Sequence, residues 1–165
     1  MEIKLLKEND PILKQTATNW DFAVDGDPSD IIMNMTKIMI ENNGIGLAGP
    51  QVGVSKRMFI MGNKDKMFAC INPEIIEADG NVMDMEGCLS FPELWLRVRR
   101  ADKIKVRYYN ALGELVEAEF SGLISRVFQH EYDHLDGICF DTRVGKLSLE
   151  MAKNRRKKRS RKTFN

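Results

Sequence analysis

Two histidines four residues apart, His130 and His134, with Glu131 between them, constrain this chain more than any other feature. On an α-helix, positions i and i+4 stack one turn apart, so both imidazoles can face one metal ion while the carboxylate lies alongside as a general base. The pattern points to metal-assisted hydrolysis. A match this short also arises by chance on surface helices, but the chain has only two histidines and both fall inside the motif. The flanks favour a helix. Ser121 is a candidate N-cap, Leu123, Ile124, Val127, Phe128 and Leu135 recur at helical spacing, and Gly137 sits where a left-handed residue ends such a run. Leu123, Val127, His130 and His134 are then expected on one inward stripe, where a bound ion is shielded from water and acts more strongly.

With 165 residues and 43% hydrophobic content, the chain is long enough for one domain with a real core and too short for two ordinary ones. It has no run of about 18 apolar residues, so no membrane span is expected. The opening Met1-Glu2-Ile3-Lys4-Leu5 lacks the layout of a secretory signal. Cys70, Cys88 and Cys139 are an odd number without a pairing pattern, which points to a reducing cytoplasm and no disulfides. The net charge of +1 hides an asymmetry: residues 146–165 hold nine Lys/Arg against Glu150 alone, while residues 1–145 hold 16 basic and 23 acidic groups. Such a tail is either a solvated extension or a contact to RNA phosphate. Residues 155–162 are poor in apolar side chains, so they are expected to be disordered and to make no core contact.

Residues 29–43 read as an amphipathic helix, with Ser29 as cap, Ile31, Ile32, Met35, Ile38 and Met39 as its apolar face, and Asn43-Gly44 as its stop. Residues 57–62 and 67–72 read as strands, and residues 104–109 and 115–120 as a hairpin around Asn110-Ala111-Leu112-Gly113. Strands in the middle with helices on both sides give an α+β class, a mostly antiparallel sheet packed against the metal-bearing helix.

A catalytic centre of this kind usually takes three protein ligands and leaves one position open for water, so a third ligand is needed. Cys88 in Glu86-Gly87-Cys88-Leu89-Ser90 is the best candidate, because a glycine precedes it and the Leu89 amide can point into the same site. Cys70 and Cys139, in apolar surroundings, are expected in the core. Residues 44–53 carry four glycines and one polar side chain, Gln51. No Lys-Ser/Thr pair follows, which argues against a phosphate loop. A neutral amide on a tight loop is suited instead to hydrogen-bonding an oxyanion.

Three blocks in this order, Gly44-Ile45-Gly46-Leu47-Ala48-Gly49-Pro50-Gln51, Glu86-Gly87-Cys88-Leu89-Ser90 and Gln129-His130-Glu131-Tyr132-Asp133-His134-Leu135-Asp136-Gly137, resemble the peptide deformylase family. Phe91-Pro92 and Arg100-Ala101 also fit, so the resemblance covers residues 1–150, with residues 151–165 as a basic tail. It implies a sheet around a central metal-binding helix, and removal of the formyl group from the initiator methionine of nascent chains in the cytoplasm. By that resemblance Cys88, His130 and His134 hold one divalent ion, Glu131 acts as general base and then acid, and Gln51 with the Leu89 N–H steadies the oxyanion. Fe²⁺ is favoured, with Zn²⁺, Co²⁺ and Ni²⁺ compatible with the same donors. Gly44, Ile45, Gly46, Leu123 and Val127 are expected at the substrate, with Arg126 at the pocket rim; Trp95 and Leu96, at a place where family members vary, either floor the groove that receives the peptide or merely pack. The expected partners are N-formylmethionyl peptides and, through the tail, the ribosome, with neither DNA nor a membrane.

Two departures stand out. Asp84 and Arg126 replace residues that are commonly apolar in the family, and are expected to pair with each other at the rim. Gly49 replaces a usual alanine and is expected only to loosen the loop. Glu86 and Arg100 are a candidate ion pair behind the cysteine. Two other readings use the same residues: a zinc peptidase of the His-Glu-x-x-His type, and an RNA-binding module with a structural metal.

Overall fold

Met58, Phe59, Ile60 and Met61 form an unbroken apolar run, and all four are buried. Successive strand side chains point to opposite faces, so such a strand needs cover on both sides. The computed structural model, which describes residues 2–163, supplies it. Helix α1 (Ser29–Glu41) covers one face through Met35 and Met39, which join Met58 and Ile60 in one cluster. Helix α2 (Gly122–Leu135) covers the other through Val127, Phe128 and Leu135, which join Phe59 and Met61. Phe128 meets Phe59 edge to face, with ring centroids 4.9 Å apart.

The strands are β1 (Gly46–Ala48), β2 (Met58–Gly62), β3 (Met67–Asp79), β4 (Val82–Cys88), β5 (Phe91–Arg100), β6 (Lys103–Tyr109) and β7 (Leu115–Ser121). The main sheet has the order β1-β2-β3-β6-β7, and every neighbouring pair is antiparallel. Strands β4 and β5 form a separate antiparallel ribbon. Its inner face packs Leu94, Leu96 and Val98 of β5 into a third cluster with Leu13, Phe91 and Phe140. This is the expected α+β architecture, with α2 seated between sheet and ribbon.

Several local expectations change. Ser29 does not cap α1 with its side chain; Asp27 Oδ1 instead accepts from the Ser29 N–H and hydroxyl at 2.9 and 2.6 Å. Ser121 occupies the N-cap position of α2 without a side-chain cap bond. The two helix stops hold as expected: Asn43 follows α1 at φ 56° and Gly137 follows α2 at φ 72°. Strand β3 runs on to Asp79 through bulges near Ile71 and Ile75 rather than stopping at Asn72.

The largest correction concerns the basic tail. Residues expected to be disordered belong to a third helix, α3 (Lys146–Thr163). Leu149 and the buried Ala152 anchor it on the Phe91–Phe140 cluster. Arg156 pairs with Glu8 at 2.8 Å, and Arg159 donates to the Glu93 carbonyl at 2.6 Å. Two apolar anchors and strong helix formers suffice for a helix whose remaining surface is mostly polar, with Leu147 and Met151 exposed. No helix among the described residues is long and apolar enough to cross a membrane.

Candidate active site

Strand β4 ends at Cys88, beside the second half of α2. The Sγ of Cys88 and ring nitrogens of His130 and His134 all lie within 4.8 Å of one another. Cys88 Sγ and His134 Nε2 are 3.5 Å apart. His130 Nδ1 lies 2.8 Å from Glu86 Oε1, a contact that fixes the ring and leaves its other nitrogen available. Convergence of one thiolate and two imidazoles, one of them braced by a carboxylate, fits a divalent metal ion. His134 Nδ1 and Glu131 Oε2 are buried with no hydrogen-bond partner among the described residues.

Glu131 follows His130 on α2 and is 4% exposed. Burial pushes its carboxyl up to about 7, against the pull of His130. It packs against Gly46 of β1: a Cβ built there would lie 2.6 Å from Glu131 Oε1 and 2.9 Å from Val127, so only glycine permits the approach. His134 is held below its usual value by burial and then by the positive charge of His130 and Arg100. His130 moves the other way: burial lowers it, but its hydrogen bonds to Cys88 and Glu86 outweigh that and hold it up.

The Glu86–Arg100 pair is present and two-pronged, Nε to Oε2 at 2.8 Å and an Nη to Oε1 at 3.0 Å, with both residues 6% exposed. Burial would raise Glu86, but Arg100 and His130 bring it down to about 2. Arg126 does not pair with Asp84. It reaches Glu86 Oε2 and the Val98 and Val82 carbonyls, each at 2.7 Å. Asp84 and Glu86 share one face of β4, but Glu86 lies beneath α2 whereas Asp84 sits further out, exposed, accepting from the Met85 N–H. One guanidinium thus ties α2 to both strands of the ribbon. Asp133 continues the network, taking Arg100 at 2.6 Å and Arg143 at 2.6 and 2.9 Å. Its placement one turn after His130 was the available signal, and the sequence reading passed over it.

Gln51 is 1% exposed, and its Oε1 accepts from the Ala48 N–H at 2.9 Å. Its amide donates to Ser90 Oγ at 3.2 Å and Cys88 Sγ at 3.5 Å. Ser90 is a further residue that the sequence reading did not single out. Gly49 is a packing requirement rather than a loosening, since a Cβ there would lie 2.7 Å from the Val54 carbonyl oxygen and 3.0 Å from that of Lys56.

A cavity of about 500 Å³ opens beside these groups. Gly44, Ile45 and Gly46 line one side, Cys88 and Leu89 the ribbon side, and Val127, Arg126, His130 and Glu131 the helix side. Trp95 stands at its edge, 48% exposed. Leu123 also lines it but is 63% exposed, because it lies in the first turn of α2, so it forms the rim and not the inward stripe expected of it. Gln51 and His134 lie behind the wall, in contact with Cys88.

A cavity closed on one side by a Cys/His/His group and a buried carboxyl defines a metal-dependent hydrolase. The family model for polypeptide deformylases matches residues 3–150. A peptide deformylase of Thermotoga neapolitana is 44% identical over 139 residues, 82% of either chain. The crystal structure of the Thermotoga maritima peptide deformylase superposes with a TM-score of 0.82 at 41% identity, covering 88% of this chain and 99% of that one. A Met-Ala-Ser-bound deformylase of Acinetobacter baumannii gives 0.80 at 34% identity, covering 87% and 99%. The chain belongs to the peptide deformylase family, enzymes that hydrolyse the N-formyl group from the initiator methionine of nascent polypeptides.

Proposed function

We propose that Cys88, His130 and His134 hold the metal ion, that Glu131 moves the protons, and that the cavity between β1, the ribbon and α2 receives an N-formylmethionyl peptide. The convergence of the three donor atoms carries this reading. When bound, a divalent ion acts as a Lewis acid that activates water at neutral pH and polarises the formyl carbonyl. Fe²⁺ is our assignment; Zn²⁺, Co²⁺ and Ni²⁺ suit the same donors.

Glu131, buried and with its pKa near 7, is matched to take a proton from water and return it to the departing amine. As the formyl carbon becomes tetrahedral its oxygen gains charge. The Gln51 amide, which touches Cys88 Sγ, and the N–H of Leu89, the residue after Cys88, are the donors to answer it, and one such donor is typically worth about 3 kcal/mol. Ile45 and Val127 supply the apolar wall for the methionine side chain, with Leu123 at the rim, and Gly44 and Gly46 let the peptide backbone come close. Glu86 and Arg126 fix the geometry from behind. The Met-Ala-Ser seen in the Acinetobacter baumannii relative supports a peptide in the equivalent place.

The test is formate release. Formyl-Met-Ala-Ser should yield one formate per peptide, while a longer unformylated peptide should remain uncut; internal cleavage of the latter would favour the peptidase reading. We assign the basic surface of α3 to a ribosomal RNA contact, in keeping with its nine Lys/Arg. With no membrane partner proposed, the enzyme would work in the cytoplasm, where formylated chains emerge.

A further inference from the structure

The outer face of the β4–β5 ribbon has no role in the chemistry above. Register places Met85 opposite Arg97 and Met83 opposite Arg99, and directly opposed side chains on one face lie about 5 Å apart at Cβ. With Trp95 these make a strip of alternating apolar and cationic groups. Met83 is 38% exposed, Met85 48% and Trp95 48%. Arg97 and Arg99 are exposed and make no hydrogen bond or ion pair among the described residues. The Trp95 ring lies flat against Gly87, where a Cβ would meet it at 2.7 Å. Met85, Gly87 and Trp95 also line the cavity. The strip therefore starts at the cavity mouth, and from Trp95 to Arg99 it runs roughly 13 Å, the length of four extended residues.

We propose that this strip receives the downstream residues of the substrate polypeptide and favours acidic side chains there. The inference rests on the deformylase reading and goes beyond it by naming a substrate preference. Continuity selects the occupant: a chain held by its first residue in the cavity leaves across the rim, and Met85 and Trp95 are rim. Charge selects its chemistry, since Arg97 and Arg99 have no partner among the described residues and sit at successive outward positions. Glu93 is the only carboxylate on β5 and lies at the cavity end, so the preference belongs to residues beyond the third rather than to the first two.

Formate release from formyl-Met-Ala-Ser, formyl-Met-Ala-Ser-Glu-Asp-Glu and formyl-Met-Ala-Ser-Lys-Lys-Lys tests it. At low salt the acidic hexapeptide should show a KM about fivefold below that of the tripeptide and the lysine peptide a higher one, the gap closing near 1 M salt. Arg97→Glu/Arg99→Glu should reverse the order while leaving tripeptide turnover intact. Binding of the unformylated acidic and basic hexapeptides, followed by Trp95 fluorescence, reads the same preference without turnover. Equal binding of the two, or a preference that survives the double charge reversal, overturns the proposal. Absence of formate from every peptide, with the binding preference present, would instead overturn the deformylase reading.

Discussion

Helix α2 buries its two sides by opposite means. Toward the main sheet it presents Phe128 and Leu135, whose side chains pack among Phe59, Met61 and Val106. Toward the ribbon it presents Arg126, His130 and Asp133, all buried and paired, with Glu131 buried next to them against Gly46 of β1. Apolar packing is the efficient source of stability, whereas a buried ionic network contributes little net stability and is costly to break. The difference teaches that the ionic side exists to hold geometry: it fixes the strand bearing Cys88 against the helix bearing the two imidazoles. Substitutions on the sheet side should cost folding free energy and spare the site; those on the ribbon side should cost the site first.

The largest expected effect falls on the polar side of α2, where the metal donors and Glu131 lie. Glu131→Gln should lower kcat by roughly 10³-fold with the protein still folded and metal-loaded, checked by formate release and metal content. Phe128→Ala should cost about 3 to 5 kcal/mol in urea unfolding, with kcat per folded molecule and metal affinity unchanged. Loss of metal affinity there would break the comparison.

Glu86→Gln sharpens it through pH. Glu86 is held at about 2 in the folded protein against an ordinary 4.5, so its contribution is full above pH 4.5 and disappears as pH falls through 2. The metal-free variant should therefore be about 3 kcal/mol less stable than the parent at pH 7, with the gap closing by pH 2. Arg126→Met should loosen metal binding about tenfold to a hundredfold, measured by competition with a chelator, while shifting unfolding less than Phe128→Ala does.

The metal group was legible because its spacing is local: His130 and His134 share a helix face by arithmetic alone, and the block around Cys88 has a recognisable sequence. The partner of Arg126 was not, because the Val82 and Val98 carbonyls belong to a ribbon whose docking on α2 no local rule describes. The ribbon itself was missed although Leu94, Leu96 and Val98 alternate with Trp95, Arg97 and Arg99, the period-two signal of a half-buried strand. Strand β1 was hidden by its length of three residues within a glycine-rich run. Helix α3 was hidden by its run of basic residues, since Leu149 and Ala152 are the residues that mark its inward side while Leu147 and Met151 face outward. The smallest predicted effect concerns that helix: removing residues 153–165 should leave tripeptide turnover unchanged and abolish co-sedimentation with ribosomes at low salt.

Metal analysis of anaerobically purified protein, paired with formate release from formyl-Met-Ala-Ser, tests the central claim most directly when parent and Cys88→Ala are compared. The parent should carry one divalent ion per chain and produce formate, and the variant should lose both while remaining folded. A Cys88→Ala protein that keeps its ion and its formate production would contradict the account.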